Sequence, residues 1–128
     1  MDFRIIFDHM PQYVLIRTQG TTTAADHDLL MKELTSAREW KTGTDQIVDH
    51  RKLEVGSLSL DLMSEIQKVV SRYEDKLGKG KVAFVVSTDA MHGFARMYEL
   101  VGGEEVHGDI SIFKTMEGAI EWLNEERT

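Results

Sequence analysis

The run "KVAFVVS", residues 81–87, constrains this chain more than any other stretch. Every position from Val82 to Val86 is apolar, with glycines and lysines before the run and Ser87 after it. A strand with one wet face alternates apolar and polar residues, whereas a strand covered on both faces does not. The run therefore predicts a parallel strand buried inside a sheet of the α/β class.

The segments around it fit such a sheet. Phe3, Ile5 and Phe7 alternate, Met10-Pro11-Gln12 breaks the pattern, and Tyr13 to Ile16 resumes it before Gly20. Two strands so close together form an antiparallel hairpin. The period then changes: Ala25, Leu29, Leu30, Leu34 and Ala37 make a helical stripe, opened by Thr23 with Asp26 at capping-box spacing. "DQIVDH" reads as a short strand. The most strongly patterned helix lies in "SLSLDLMSEIQKVVSRYEDKLGKG", with Met63, Ile66, Val70, Tyr73 and Leu77 on one face and Gly78 as its stop. After the buried run come a helix in "DAMHGFARMYELVGG", a strand in "ISIFKT" and a last helix in "MEGAIEWLNEER". The order β-β-α-β-α-β-α-β-α implies a mixed, mostly parallel β-sheet with an N-terminal antiparallel hairpin, packed with about four α-helices. No linker or repeat divides residues 1–128, so one domain is expected.

Charge narrows the partners. Fifteen basic against 22 acidic residues give a net charge of −7, and the lysines and arginines are scattered along the chain. Such a chain is repelled by phosphate backbones and anionic membranes, so neither nucleic acid nor a membrane is expected as a partner. With no cysteine there is no thiol chemistry, and no targeting or membrane-length segment stands out; a cytoplasmic protein is expected.

In a parallel sheet, ligands gather beyond the carboxyl ends of the strands. Three segments should meet there: Asp49 to Ser59, Ser87 to His92, and Lys114 to Glu117. Within them Asp49, His50, Arg51, Ser87, Asp89 and His92, with Arg96 further along the helix, form a candidate ligand or interaction edge. Ser57 and Ser59 precede a long helix; one of them caps it, and either is a candidate phosphosite, because a helix N-terminus favours a phosphate. Asp49 and His50 cannot work as orienter and base, since neighbours in a strand point to opposite faces. Asp89, His92, Arg96 and Glu99 read as a solvated helix stripe or as an anion clamp. The histidines, including His27 at an exposed helix start, lack metal-ligand spacing, so no metal or other cofactor is expected. Gly78-Lys79-Gly80-Lys81 precedes a strand instead of following one, which makes it a turn and not a phosphate loop.

The segments "KVAFVVSTDAMHGFARMYEL" and "ISIFKTMEGAIEWL" resemble the second half of the SpoIIAA-like group, small bacterial proteins of the STAS-like superfamily. Phe113 followed by a helix with Ala119, Trp122 and Leu123 is the most typical piece. The resemblance implies a STAS-like fold that serves signalling and protein interaction without catalysis. In the anti-sigma-factor antagonists of that superfamily, a serine at the start of the helix after the central strand is phosphorylated. Ser57 and Ser59 occupy that place here, although the segment Glu54 to Ser59 departs from the antagonists' Asp-Ser-Ser-Gly type motif. The group is also related to lipid-transfer folds of the CRAL-TRIO type, whose extra helices this chain lacks.

Two functions follow as expectations. One is a non-enzymatic regulatory or protein-interaction module, homodimeric through apolar side chains such as Trp40, Met97 or Trp122. The other is a carrier or sensor that holds a small apolar or anionic, lipid-like ligand between sheet and helices, where methionines adapt to its shape.

Overall fold

The computed structural model describes residues 1–54, 58–89, 93 and 109–125. Its strands are β1 (Asp2–Ile6), β2 (Val14–Gly20), β3 (Gln46–Leu53), β4 (Val82–Val85) and β5 (Ile110–Phe113), adjacent in that order in one sheet. β1 runs antiparallel to β2, and every later pairing is parallel. The described helices are α1 (Ala24–Ser36), α2 (Leu60–Ser71), α3 (Glu74–Leu77) and α4 (Met116–Leu123). This is the α/β architecture the sequence predicts, with the apolar run as an inner strand. The helix expected over residues 89–103 lies outside the described residues except for Asp89 and Gly93.

The two-residue period of the strands sorts the core into two layers. On one face Val14, Ile16, Val48 and Phe84 meet Leu30, Met31 and Leu34 of α1 and Ile66 and Val70 of α2. Across the sheet Leu15, Ile47, Ala83 and Val85 meet Ala119, Ile120 and Trp122 of α4. Each large aliphatic side chain so buried contributes about 1.5–3 kcal/mol, which is why β4 has no polar position. Lys81, just before β4, is 4% exposed. Its Nζ donates to the carbonyls of Trp122 (2.9 Å) and Glu125 (3.1 Å), and lies 5.0 Å from the Trp122 ring centroid. A cation is favoured at the carbonyl end of a helix, so Lys81 fastens α4 to the sheet.

Helix starts follow their caps. The Thr23 hydroxyl accepts from the Asp26 N–H, and the Asp26 carboxylate accepts from the Thr23 N–H, closing the capping box that opens α1. At α2 the cap is Ser59, whose Oγ accepts from the Leu62 N–H at 3.1 Å. The long second helix of the sequence is interrupted: α2 ends at Ser71, and α3 adds one turn before Gly78 at φ +75°. Tyr73 sits at the break, where its hydroxyl donates to Asp28 Oδ1 of α1 at 2.7 Å. Trp40, expected on a helix face open to a second copy, is core: it is 9% exposed and its Nε1 donates to the Lys76 carbonyl at 2.9 Å. Trp122 packs on Phe113, with ring centroids 5.6 Å apart, and Met97 lies outside the described residues.

The turn at residues 78–81 interlocks with the one before β3. Gly43 N–H donates to the Leu77 carbonyl (2.9 Å), and Gln46 N–H to that of Lys81 (2.8 Å). A Cβ on Gly80 would lie 2.5 Å from the Thr44 carbonyl oxygen, closer than any contact that stands without backbone movement. Gly80→Ala is therefore expected to destabilise the fold by more than about 1 kcal/mol, measured as a lower urea midpoint at unchanged slope.

Candidate functional site

A cavity of about 110 Å³ lies between the sheet and the α1–α2 layer. Ile16, Val48 and Phe84 from the sheet, Leu30 from α1, and Met63 and Ile66 from α2 make its walls almost wholly apolar. Among the described lining residues, only His27 and His50 carry an ionisable side chain. Both are brought there by local structure. The capping box fixes the first turn of α1, and His27 follows Asp26 in that turn. His50 is on β3, two residues past Val48, and so shares its face.

The His50 ring is held on two sides. Its Nδ1 lies 2.6 Å from the Thr18 hydroxyl of β2, and its plane stacks on Phe84 with centroids 5.5 Å apart. His27 meets it edge-on at 6.5 Å. Burial disfavours the charged forms. It pushes His27 down to about 4 against the pull of Asp26, and pushes His50, with repulsion from His27 added, down to about 3. Both imidazoles are neutral at pH 7.

Asp49 turns to the opposite face, so it forms no dyad with His50, as the strand period predicts. Its carboxylate takes the Arg51 guanidinium side-on, with Nε to Oδ1 at 2.9 Å and Nη2 to Oδ2 at 2.8 Å. Arg17 Nε lies 3.9 Å from Oδ2. Burial raises the Asp49 pKa, but the Arg51 hydrogen bonds and charge, with the Arg17 charge, outweigh it and hold the group below the usual carboxylate range. Around this cluster lies an open groove of about 390 Å³, lined also by Arg4, Lys52, Asp2 and Gln19. The register explains the gathering. Arg4 sits opposite Arg17, Arg17 opposite Asp49, and Gln19 opposite Lys52, with one extra residue on β3 between the last two pairs. Basic residues that look scattered in sequence are thus neighbours across three strands.

The three strand-end segments do meet. β3 does not end at His50 but continues to Leu53 along β2, so Arg51 and Lys52 are strand residues as Asp49 and His50 are. The Ser87 hydroxyl donates to the Arg51 carbonyl at 3.0 Å, and Asp89 pairs with Lys114. Ser59 is the helix cap; Ser57, His92 and Arg96 lie outside the described residues. Strand pairing and helix packing unite what the sequence edge left apart. His27, expected at an exposed helix start, instead faces the cavity with His50. The capping box that sets the phase of α1 was the available signal for it. Among the described residues no cluster of three or more metal-ligating side chains occurs, and no helix is long and apolar enough to cross a membrane.

No family model matches the chain, and no curated protein does. Among solved structures it is similar to the crystal structure of an uncharacterized protein of the DUF3478 family with a SpoIIAA-like fold from Shewanella loihica. The TM-score is 0.61 at 19% identity, over 95% of this chain and 92% of that one. At that identity the likeness is one of fold, and the fold is the SpoIIAA-like one that the sequence resembles.

The buried histidines make stability depend on pH. Their pKa values lie below the unfolded value of 6.5, so below that pH the unfolded chain binds protons that the folded chain does not. Stability is expected to fall as pH drops from about 6.5 towards 4, by at most about 1.4 kcal/mol per pH unit for each histidine. Asp49, held below 3.8, adds its loss only at lower pH. Urea melts at pH 7 and pH 5 check this, with His27→Phe and His50→Phe each expected to flatten the slope.

Proposed function

We propose that this protein is a non-catalytic regulatory module whose signal is a small apolar molecule held between the sheet and the α1–α2 layer. The observation that carries this reading is the cavity of about 110 Å³ with apolar walls and two neutral histidines. An engineered apolar cavity of roughly 150 Å³ stays dry and takes benzene, so a site of this size suits one small ring or a short alkyl chain. Separation of Asp49 from His50 argues against hydrolysis through that pair. Ser59 caps α2, one of the two helices over the cavity, so a phosphate there would act on the element that covers the ligand.

A second observation favours protein interaction. Arg4 and Lys52 have no ion-pair partner among the described residues, and they flank Arg17 and Arg51 in an open groove. Charge complementarity there suits an acidic segment of a protein partner, which would couple a ligand on one face of the sheet to docking on the other. Arg4→Glu is expected to weaken binding of an acidic peptide and to flatten its salt dependence, read by titration calorimetry at two salt concentrations.

Native mass spectrometry of the protein from its own host reads both a retained molecule and a phosphate on Ser57 or Ser59. In parallel, toluene or indole should raise the melting temperature; a ligand at about 100 times its Kd adds about 2.7 kcal/mol. Val70→Phe, which extends a ring into the cavity, should abolish that rise while changing stability by about 1–3 kcal/mol. A wild-type protein that gains nothing from saturating apolar ligand sinks the cavity reading.

A further inference from the structure

Thr18 has one hydroxyl proton and two neighbours that want a share of it. Its Oγ1 lies 3.2 Å from the Asp49 carbonyl oxygen and 2.6 Å from His50 Nδ1. A carbonyl only accepts, so the first contact needs the Thr18 proton. With the Thr18 proton given to that carbonyl, the second, shorter contact forms in one way: His50 carries its own proton on Nδ1 and donates it to Oγ1. Thr18 is 4% exposed, which keeps water from competing for either bond.

The other ring nitrogen follows from this. In a neutral imidazole protonated at Nδ1, Nε2 is a bare acceptor. Among the described residues Nε2 of His50 has no hydrogen-bond partner, and neither ring nitrogen of His27 has one. No sealed-off side-chain nitrogen or oxygen lacks a partner among those residues, so Nε2 remains open to a molecule entering the cavity that His50 lines. An acceptor left unmet in an apolar chamber favours a ligand that brings a donor and penalises one that does not.

We propose that the cavity selects apolar molecules that carry a hydroxyl or N–H donor, phenols and alcohols of single-ring size, and that His50 Nε2, set by Thr18, is the atom that reads the donor. His27, whose tautomer no contact fixes, supplies the complementary donor to the ligand oxygen. The inference rests on the cavity reading above and adds its chemistry. The methyl and hydroxyl groups of toluene and phenol are close in size, so that pair separates shape from hydrogen bonding.

The test is a titration of the 15N-labelled full chain with phenol and with toluene, followed by amide shifts of the cavity residues. Phenol is expected to bind about tenfold tighter, the worth of one hydrogen bond to a buried acceptor. Equal affinities overturn the donor reading and leave the cavity standing, whereas no response to either compound overturns both. Long-range 1H–15N spectra of the unliganded protein should place the His50 proton on Nδ1, and a proton on Nε2 overturns the assignment without reference to any ligand. His50→Phe keeps the stack on Phe84 and should abolish the preference for phenol. If that variant does not fold, Thr18→Val serves instead, and its His50 should show both tautomers.

Discussion

Asp49 and His50 are consecutive residues, and the pleat of β3 drives them to opposite sides of the sheet. β3 lies between β2 and β4 with parallel pairing on both sides, so it cannot rotate to bring the two side chains together. The imidazole enters an apolar chamber, and the carboxylate meets arginines beneath an open face. Two environments of opposite character are therefore separated by one peptide unit, and each owes its chemistry to that separation. A histidine beside Asp49 would be a candidate base; among the described residues the histidine that is present has a hydroxyl, an aromatic ring and a second imidazole for company.

The chamber carries a thermodynamic cost. At about 24 cal/mol per Å³, an unfilled volume of 110 Å³ costs about 2–3 kcal/mol relative to a close-packed core. That is a sizeable part of the stability of a domain of this size. Keeping two imidazoles uncharged in the same layer adds to it at acid pH. In the second layer Ala83 and Val85 are fully buried against Ala119, and Lys81 ties the helix end down. The chamber lies on the other side of the sheet. Filling the chamber returns part of the packing energy, which is how an occupant can alter the stability of α1 and α2 without touching α4.

The parts of the molecule legible in the sequence are those in which a residue acts through its immediate neighbours. The apolar run of β4 reports cover on both faces, Thr23 and Asp26 report the start of α1, and Ser59 reports the start of α2. Gly78 and Gly80 report a turn. What escaped depends on register. Arg4, Arg17 and Arg51 are far apart in the chain and meet only because β1, β2 and β3 pair as they do. His27 becomes a cavity residue through the packing of α1 on β3, and a local reading leaves it at a polar helix start between two aspartates. The sequence reading ends β3 at His50, three residues short, because Arg51 and Lys52 extend a polar run begun at Asp49. That composition suits a loop, and it is tolerated in a strand here because one face offers a hydroxyl and a ring and the other offers countercharges.

The extra residue on β3 bears on how such a chain can vary. With strict alternation after His50, Lys52 would point into the apolar chamber and Leu53 out towards the basic groove. The bulge restores parity, so Lys52 stays opposite Gln19 and Leu53 opposite Gly20, packed, like Leu58, against Val86. Loss of one residue at that point would leave a regular ladder with both faces still assigned as they are. The same loss two residues earlier would exchange the faces for everything downstream. Length can thus drift at one place on this strand, and elsewhere along it only substitution can retune either surface.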